Sequence, residues 1–222
     1  DMVFVDGRAL QSASWEGELN SNNFSIDYDD GYVFLGFNPS NHVIEITAHD
    51  SAIVRTVKDV HGKKNDHQGL IIRGLTFTQY AYRALEVEGT EPEDPADPAT
   101  FGKDVVGSTF ENVTITHCSR VAGYFRGDKT VFRNCLISDT STEGIYLIAS
   151  SDCLLERNIF ARNNVEHITG YFPAAVKIFN QTRRVVCRDN VIIDQPDSNG
   201  IWYDVGNHDG VFENNWVENC LA

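Results

Sequence analysis

Aromatic and charged side chains recur at one position of a short phrase in the second half of the chain. Each phrase alternates apolar residues with others, as in residues 143–148, Glu-Gly-Ile-Tyr-Leu-Ile. Flat rings stack on the faces of sugar rings, and charged groups bind hydroxyls, so such a set predicts a groove for a sugar chain. The alternative is that the rings only pack under a loop. The candidate sugar ligands are Tyr124, Arg126, Tyr146, Lys177 and Trp202.

The alternation places these residues on one side of a sheet. Apolar residues recur at every second position, which is the period of a strand, and no helical stripe is present. We therefore expect the apolar columns to point into the core and the aromatic and charged columns to point outward. The apolar columns are Leu85, Gly123, Ile145, Val176 and Ile201, and then Val87, Phe125, Leu147, Ile178 and Tyr203.

A second landmark, Gly or Asn, recurs along the same part of the chain. Its spacing is 22–25 residues, except where two insertions lengthen it. A repeat of this length indicates an all-β solenoid with three short strands and three turns in each coil. The asparagines are expected to form a ladder, with each amide bonding to the next coil. The landmarks are Gly74, Asn112, Asn134, Asn158, Asn190 and Asn215.

The chain is expected to divide into three segments. Residues 1–50 form a small β appendage, residues 51–68 a strand and a polar linker, and residues 69–222 the coils. The insertions lie at 89–107 and 163–173. We expect both to wall the outward face, because insertions in solenoids map to loops near the binding face. His167, in the second insertion, is then a further candidate for binding the sugar.

The composition limits the partners. A net charge of −14 over 222 residues argues against a nucleic-acid partner, because phosphates require a basic face. No apolar run is long enough to span a bilayer, so no membrane partner is expected. No pair of the five cysteines has metal-ligand spacing, so no metal is predicted and the cysteines are expected inside the coils. The compartment is left open, with secretion or the periplasm favoured, and the chain is interpreted as part of a longer protein.

The coil pattern over roughly residues 69–222 resembles the right-handed parallel β-helix of the pectate-lyase-like superfamily. Phrases such as Cys-Leu-Leu-Glu-Arg-Asn-Ile-Phe at 153–160 are typical of its carbohydrate-active members. The appendage followed by coils is similar to β-helix glycosidases such as glycoside hydrolase families 120 and 141. In family 120 the nucleophile ends a Gly-Ile-Trp-Leu-Asp phrase, and this chain has Gly-Ile-Trp-Tyr-Asp at 200–204. The resemblance therefore implies Asp204 as the nucleophile of a retaining glycoside hydrolase.

The spacing of strands is compatible with that role. Retaining glycosidases hold two carboxyl groups about 5–5.5 Å apart, and neighbouring strands lie about 4.8 Å apart. An acid at the matching position of the next coil would stand at the required distance from Asp204. The family pattern places that acid one coil later, beyond residue 222.

Two other functions remain open at this stage. A polysaccharide lyase acting on uronates needs a base and a cation that neutralises the carboxylate. Lys177, Arg126 or His167 would serve as base or clamp, and the acidic segment 91–97 would hold Ca²⁺, the one cofactor considered. The third function is a non-catalytic glycan-binding or structural β-helix. The sugar, the linkage and the oligomeric state are not predicted.

Overall fold

The computed structural model describes residues 1–13, 15–89 and 105–221, and it begins with a small β module. Two three-stranded sheets make up this module, with strand orders β2-β1-β6 and β3-β4-β5. The strands are β1 (Val3–Val5), β2 (Arg8–Ala9), β3 (Gln11–Ser12), β4 (Asn23–Asp27), β5 (Tyr32–Leu35) and β6 (Ile44–Ile46). Short 3-10 turns cover Glu16–Glu18 and Pro39–Asn41.

Three parallel six-stranded sheets follow, and each coil of the chain contributes one strand to each sheet. Sheet 1 contains β7 (Ile53–Arg55), β10 (Leu85–Val87), β13 (Val121–Phe125), β16 (Glu143–Ile148), β19 (Ala174–Phe179) and β22 (Asn199–Tyr203). Sheet 2 contains β8 (Ile71–Arg73), β11 (Thr109–Glu111), β14 (Val131–Arg133), β17 (Leu154–Glu156), β20 (Val186–Arg188) and β23 (Val211–Glu213). Sheet 3 contains β9 (Thr76–Tyr80), β12 (Thr114–Cys118), β15 (Leu136–Ser138), β18 (Ile159–Ala161), β21 (Val191–Ile193) and β24 (Trp216–Glu218). The predicted all-β solenoid is confirmed.

The predicted inward columns are also confirmed. Leu85 pairs with Gly123, Gly123 with Ile145, and the register continues to Ile201 on β22. The first four residues of this column are buried, whereas Ile201 is half-buried. The column requires a glycine at 123, because a Cβ there would lie 2.4 Å from the ring of Phe125. One continuous core therefore fills the solenoid.

The asparagine landmarks belong to two columns instead of one. Asn112 and Asn134 are exposed corner residues with φ near +53°, a conformation that Asn tolerates well. Asn158, Asn190 and Asn215 lie one register position later, and their side chains form the amide ladder. The Oδ1 atom of Asn190 accepts from the backbone and side-chain nitrogens of Asn158 at 2.9 and 3.0 Å. The single ladder of five asparagines expected from the sequence is thus wrong, because Asn112 and Asn134 lie one residue before the ladder column.

Sheet 2 carries a ladder of alternating charge on its outward face. The register aligns arginine and glutamate in turn on successive coils, and the ion pairs that join them measure 2.6–2.9 Å. This column has no ring to offer a sugar, and four ion pairs join its first five residues. The ladder residues are Arg73, Glu111, Arg133, Glu156, Arg188 and Glu213.

Four of the five cysteines are buried in the coil interior, as expected, and all five are free thiols. Cys220 is half-buried in the last coil. Burial raises the pKa of the Cys153 and Cys187 thiols to about 12, so both are protonated at neutral pH. These side chains therefore serve as small core residues.

Candidate functional site

The outward column of sheet 1 exists as the alternation predicts. Glu86 pairs with Tyr124, Tyr124 with Tyr146, Tyr146 with Lys177 and Lys177 with Trp202. All five side chains are half-buried. The rings of Tyr124 and Tyr146 are 6.2 Å apart and meet edge to face. Parallel register therefore collects a phenol pair, an ammonium and an indole along one line of the surface.

The second insertion closes one end of this column. The Nζ atom of Lys177 donates to the carbonyl oxygens of Tyr171 at 3.1 Å and Phe172 at 3.4 Å. The ring of Phe172 lies 5.2 Å from the ring of Trp202. Lys177 thus ties the loop to the sheet, and the loop covers part of the indole. The 163–173 insertion walls the face as expected.

A buried carboxyl group lies beneath the column. Glu143 begins β16, and none of its side chain is exposed. Its Oε2 atom accepts a short hydrogen bond from the Tyr146 hydroxyl. Its Oε1 atom lies 4.0 Å from the Lys177 ammonium and accepts no hydrogen bond from any described residue.

The environment of Glu143 sets its ionisation. Burial raises the pKa of the carboxyl to about 7, although the Tyr146 hydroxyl and the charges of Lys177 and Arg120 favour the ionised form. Burial, together with the neighbouring carboxylate, also raises the pKa of Tyr146, so that the phenol keeps its proton. Glu143 therefore changes charge in the neutral range while Tyr146 remains a neutral donor.

A cavity of about 430 Å³ opens at the other end of the column. Arg83 forms a 3.0 Å ion pair with Glu86, and its guanidinium lies 4.9 Å from the centre of the Tyr124 ring. Arg126 is only 4% exposed and lies 5.4 Å from the same ring. Burial raises the pKa of Glu86 against the opposing charge of Arg83. This end of the column therefore combines the ring of Tyr124 with the cations Arg83 and Arg126 and the carboxyl group of Glu86.

A second cavity, of about 500 Å³, opens at the starts of the strands. Its lining includes Tyr82, Arg120, Thr142, Tyr146 and Tyr171. Three phenol groups, one guanidinium and one hydroxyl therefore surround one space. Such a set binds hydroxyl-rich ligands.

Asp204 lies just past the end of β22 and is half-buried. Its backbone nitrogen donates to the carbonyl oxygen of Ile178 at 2.7 Å, and Asn207 donates to its carbonyl oxygen at 2.7 Å. These bonds hold its backbone two residues beyond Trp202. The register that aligns Ile178 with Tyr203 places Phe179 beside Asp204 on the preceding strand.

His167 is not brought to this face. Its Nδ1 atom lies 2.7 Å from the Asp197 carboxylate, and the ring lines neither of the two cavities. The turn that carries it is linked to the N-terminal module, since Gln11 donates to Glu166 at 2.9 Å. The sequence predicts His167 as a further sugar-binding residue, and the structure places its ring against Asp197.

Within the described ranges, no group of three or more His, Cys, Asp or Glu side chains converges on a common point. The acidic segment 91–97 and most of the first insertion lie outside the described residues.

Sequence reasoning missed Glu143, Arg120 and Tyr171. Glu143 lies two positions before Ile145, so the alternation of the strand points it inward. The neighbouring coils carry the apolar residues Val121 and Ala174 at this position. An ionisable residue at an inward position was the available signal. Arg120 and Tyr171 lie outside the strands, where alternation gives no direction.

The fold and the residues of sheet 1 can now be compared with known proteins. The chain matches the model of the right-handed β-helix region over residues 41–222, and it belongs to that family. The predicted right-handed parallel β-helix is thereby confirmed. No curated protein is similar enough in sequence to count as a match. Among the described residues no helix is long and apolar enough to cross a membrane.

One solved structure shares the fold over nearly the whole chain. This is XylC in complex with xylose, with a TM-score of 0.68 and 12% sequence identity. The alignment covers 98% of this chain and 43% of XylC. The chain thus spans less than half the length of that protein, and the likeness is one of fold.

Proposed function

We propose that this chain is the substrate-binding part of a retaining glycoside hydrolase that acts on oligosaccharides or polysaccharides. The observation that carries the proposal is the outward column of sheet 1, where Tyr124, Tyr146, Lys177 and Trp202 follow one another in unbroken register. The fold shared with XylC, solved with xylose, supports a sugar as the ligand. Similarity to glycoside hydrolase families 120 and 141 is part of the same proposal.

The column offers the contacts that a sugar chain requires. Trp202, Tyr146 and Tyr124 present aromatic carbon to the apolar faces of sugar rings. Lys177 and Arg126 bring cationic donors to the hydroxyls. Lys177 also fixes the position of the loop, because it donates to two of the loop's carbonyl oxygens. In this proposal the same ammonium binds the sugar.

In this proposal Asp204 is the nucleophile. Its carboxylate forms a bond to the anomeric carbon while the glycosidic C–O bond breaks, and a second carboxyl group gives a proton to the leaving oxygen. Water then attacks the glycosyl-enzyme and gives its proton back to that second group. Phe179 occupies the neighbouring position on β19, so the second carboxyl group must stand on the opposite side of β22.

The first test is the Asp204→Asn variant of the full protein. Both forms are incubated with a panel of neutral and uronate oligosaccharides, and the product masses are read by mass spectrometry. We expect hydrated products from the wild type and a loss of at least about 10³-fold in rate in the variant, because the carboxylate can no longer form the covalent intermediate. Asp209→Asn is the matched control, since Asp209 is exposed in the next turn.

The product masses separate the competing functions. Unsaturated products lacking the elements of water would contradict a hydrolase and indicate a lyase. Binding without any product would indicate a glycan-binding module. An Asp204→Asn variant with full activity would remove Asp204 from the chemistry while leaving a hydrolase possible.

A further inference from the structure

The cavity of about 500 Å³ lies diagonally across sheet 1 from Asp204. Tyr82 and Arg120 precede β10 and β13, so the cavity opens at the starts of the strands, whereas Asp204 follows the end of β22. Tyr146 on β16 belongs to both the cavity and the outward column. Two strand steps separate β16 from β22, which is about 10 Å along the stack.

Arg120 is held in place at the edge of this cavity. Its guanidinium donates to the Tyr82 hydroxyl at 3.4 Å and lies 5.4 Å from the centre of that ring. The Thr142 hydroxyl donates to the Arg120 carbonyl oxygen at 2.9 Å. Arg120 is exposed and forms no ion pair with a described carboxylate. Most of its five N–H donors therefore remain available to a ligand.

Glu143 fixes the phenol that forms the floor of the cavity. Because Tyr146 donates its proton to the buried Glu143 carboxyl group, the Tyr146 oxygen can act toward a ligand only as an acceptor. The second oxygen of Glu143 is fully buried and accepts no hydrogen bond from any described residue. Glu143 acts here as a positioning residue, since Tyr146 lines the cavity and Glu143 does not.

We propose that this cavity is a distal sugar subsite of the groove, remote from the bond that is cleaved. The proposal rests on the proposed function and names its substrate class: oligosaccharides of several units in preference to disaccharides. One sugar ring lies among the Tyr82, Tyr146 and Tyr171 rings. Its hydroxyls accept from Arg120 and donate to Tyr146.

The test measures binding as a function of chain length. Xylo-oligosaccharides of two to six units are titrated calorimetrically into the full protein carrying Asp204→Asn, which keeps the ligands intact. We expect affinity to rise by about tenfold between the trisaccharide and the hexasaccharide, the gain expected of one hydrogen bond to a charged donor. Arg120→Ala and Tyr171→Ala should abolish that gain and leave disaccharide affinity unchanged.

Matched variants separate the subsite from general damage. Tyr32→Ala and Arg184→Ala remove the same groups at exposed positions outside both cavities, and both should keep the length dependence. Glu143→Ala removes the acceptor of the Tyr146 hydroxyl and should lower the affinity for the hexasaccharide alone, whereas a merely structural role would change all lengths together. Glu143→Gln keeps a carbonyl acceptor and should restore the hexasaccharide affinity.

Two results would overturn the proposal in distinguishable ways. Equal affinity for every length that binds, or a gain that survives Arg120→Ala, would remove the subsite and leave the proposed function standing. Failure of any xylo-oligosaccharide to bind, combined with no cleavage of the wider panel, would overturn both.

Discussion

Glu143 shows how burial decides the charge of a group on a sheet. The ammonium of Lys177 and the hydroxyl of Tyr146 both favour its ionised form, yet desolvation is the larger effect and raises the pKa to about 7. An ordinary glutamate has a pKa near 4.5. The folded protein therefore binds a proton at Glu143 in a pH range where the unfolded chain releases it.

This difference predicts a pH dependence of stability. A carboxyl with a raised pKa contributes stability that is fully present below its unfolded pKa and lost as the pH rises through the folded pKa. Between pH 4.5 and pH 7 the wild type should lose about 3 kcal/mol of unfolding free energy through this group. Glu143→Gln should remove that part of the slope. Urea unfolding at pH 4.5, 5.5, 6.5 and 7.5 measures it.

The polar groups that face Glu143 are Tyr146 on its own strand, Lys177 on β19, and Arg120 and Tyr171 in the loops. All four are present in both proteins, so the difference between wild type and variant isolates Glu143. Glu16→Gln, an exposed change in the N-terminal module, should leave the slope intact. An unchanged slope in Glu143→Gln would show that the carboxyl is ionised throughout.

At the scale of the coil, the buried asparagine side chains supply hydrogen bonds to backbone groups near the turns between strands. Asn190 donates to the carbonyl oxygen of Leu155 at 2.9 Å and accepts from the backbone nitrogen of Asn158 at 2.9 Å. Leu155 and Asn158 are both buried, and the Asn158 nitrogen lies in the turn between β17 and β18, outside the strand pairing. The ladder satisfies such backbone groups coil after coil, because each amide reaches the adjacent turn.

Removing one amide should therefore be costly. Asn190→Ala leaves the buried N–H of Asn158 without its acceptor and removes the amide donor to the Leu155 carbonyl, and should lower the unfolding free energy by about 1–3 kcal/mol. Asn134→Gly is the matched control, because Asn134 is exposed with φ near +53°, a conformation that glycine adopts freely. We expect that change to cost less than about 1 kcal/mol. Equal losses in urea unfolding would show that the two columns do not differ energetically.

The same comparison shows how far the sequence determines the coil. Alternation identifies which residues of sheet 1 share a face, because the period of two leaves only two choices for each side chain. It does not identify the amide ladder. The spacing between Asn134 and Asn158 fits the repeat of a single column, and only the backbone φ angle shows that they belong to two. Nor does it place Arg120, Tyr171 or His167, whose directions depend on loop conformation. The sequence thus predicts which residues of sheet 1 face the candidate site. It does not predict which buried residues lie beneath the site or which loop residues surround it.

At the scale of the whole molecule, β1 joins the N-terminal module to the coils. The two faces of β1 pack against different parts of the protein. Val3 and Val5 belong to the core of the module, whereas Phe4 lies between the module and the coils. The Phe4 ring meets the His117 ring at 5.5 Å. Thr47 and Ser119 add a hydrogen bond of 3.1 Å at the same junction. The module is thereby positioned beside the cavity that contains Arg120.

Phe4→Ala tests whether this junction is a separable interface. The lost ring is 1% exposed, so the change should cost about 3–5 kcal/mol. We expect the cost to fall on the docking of the module, because Val3, Val5 and the coil core keep their contacts. Hydrogen exchange read by mass spectrometry should show faster exchange over residues 1–46 and unchanged protection of β14 and β17. Tyr32→Ala, at a 62% exposed position, should change neither region. If protection is lost in the coils and the module together, the two form one cooperative unit and the junction is part of a single core.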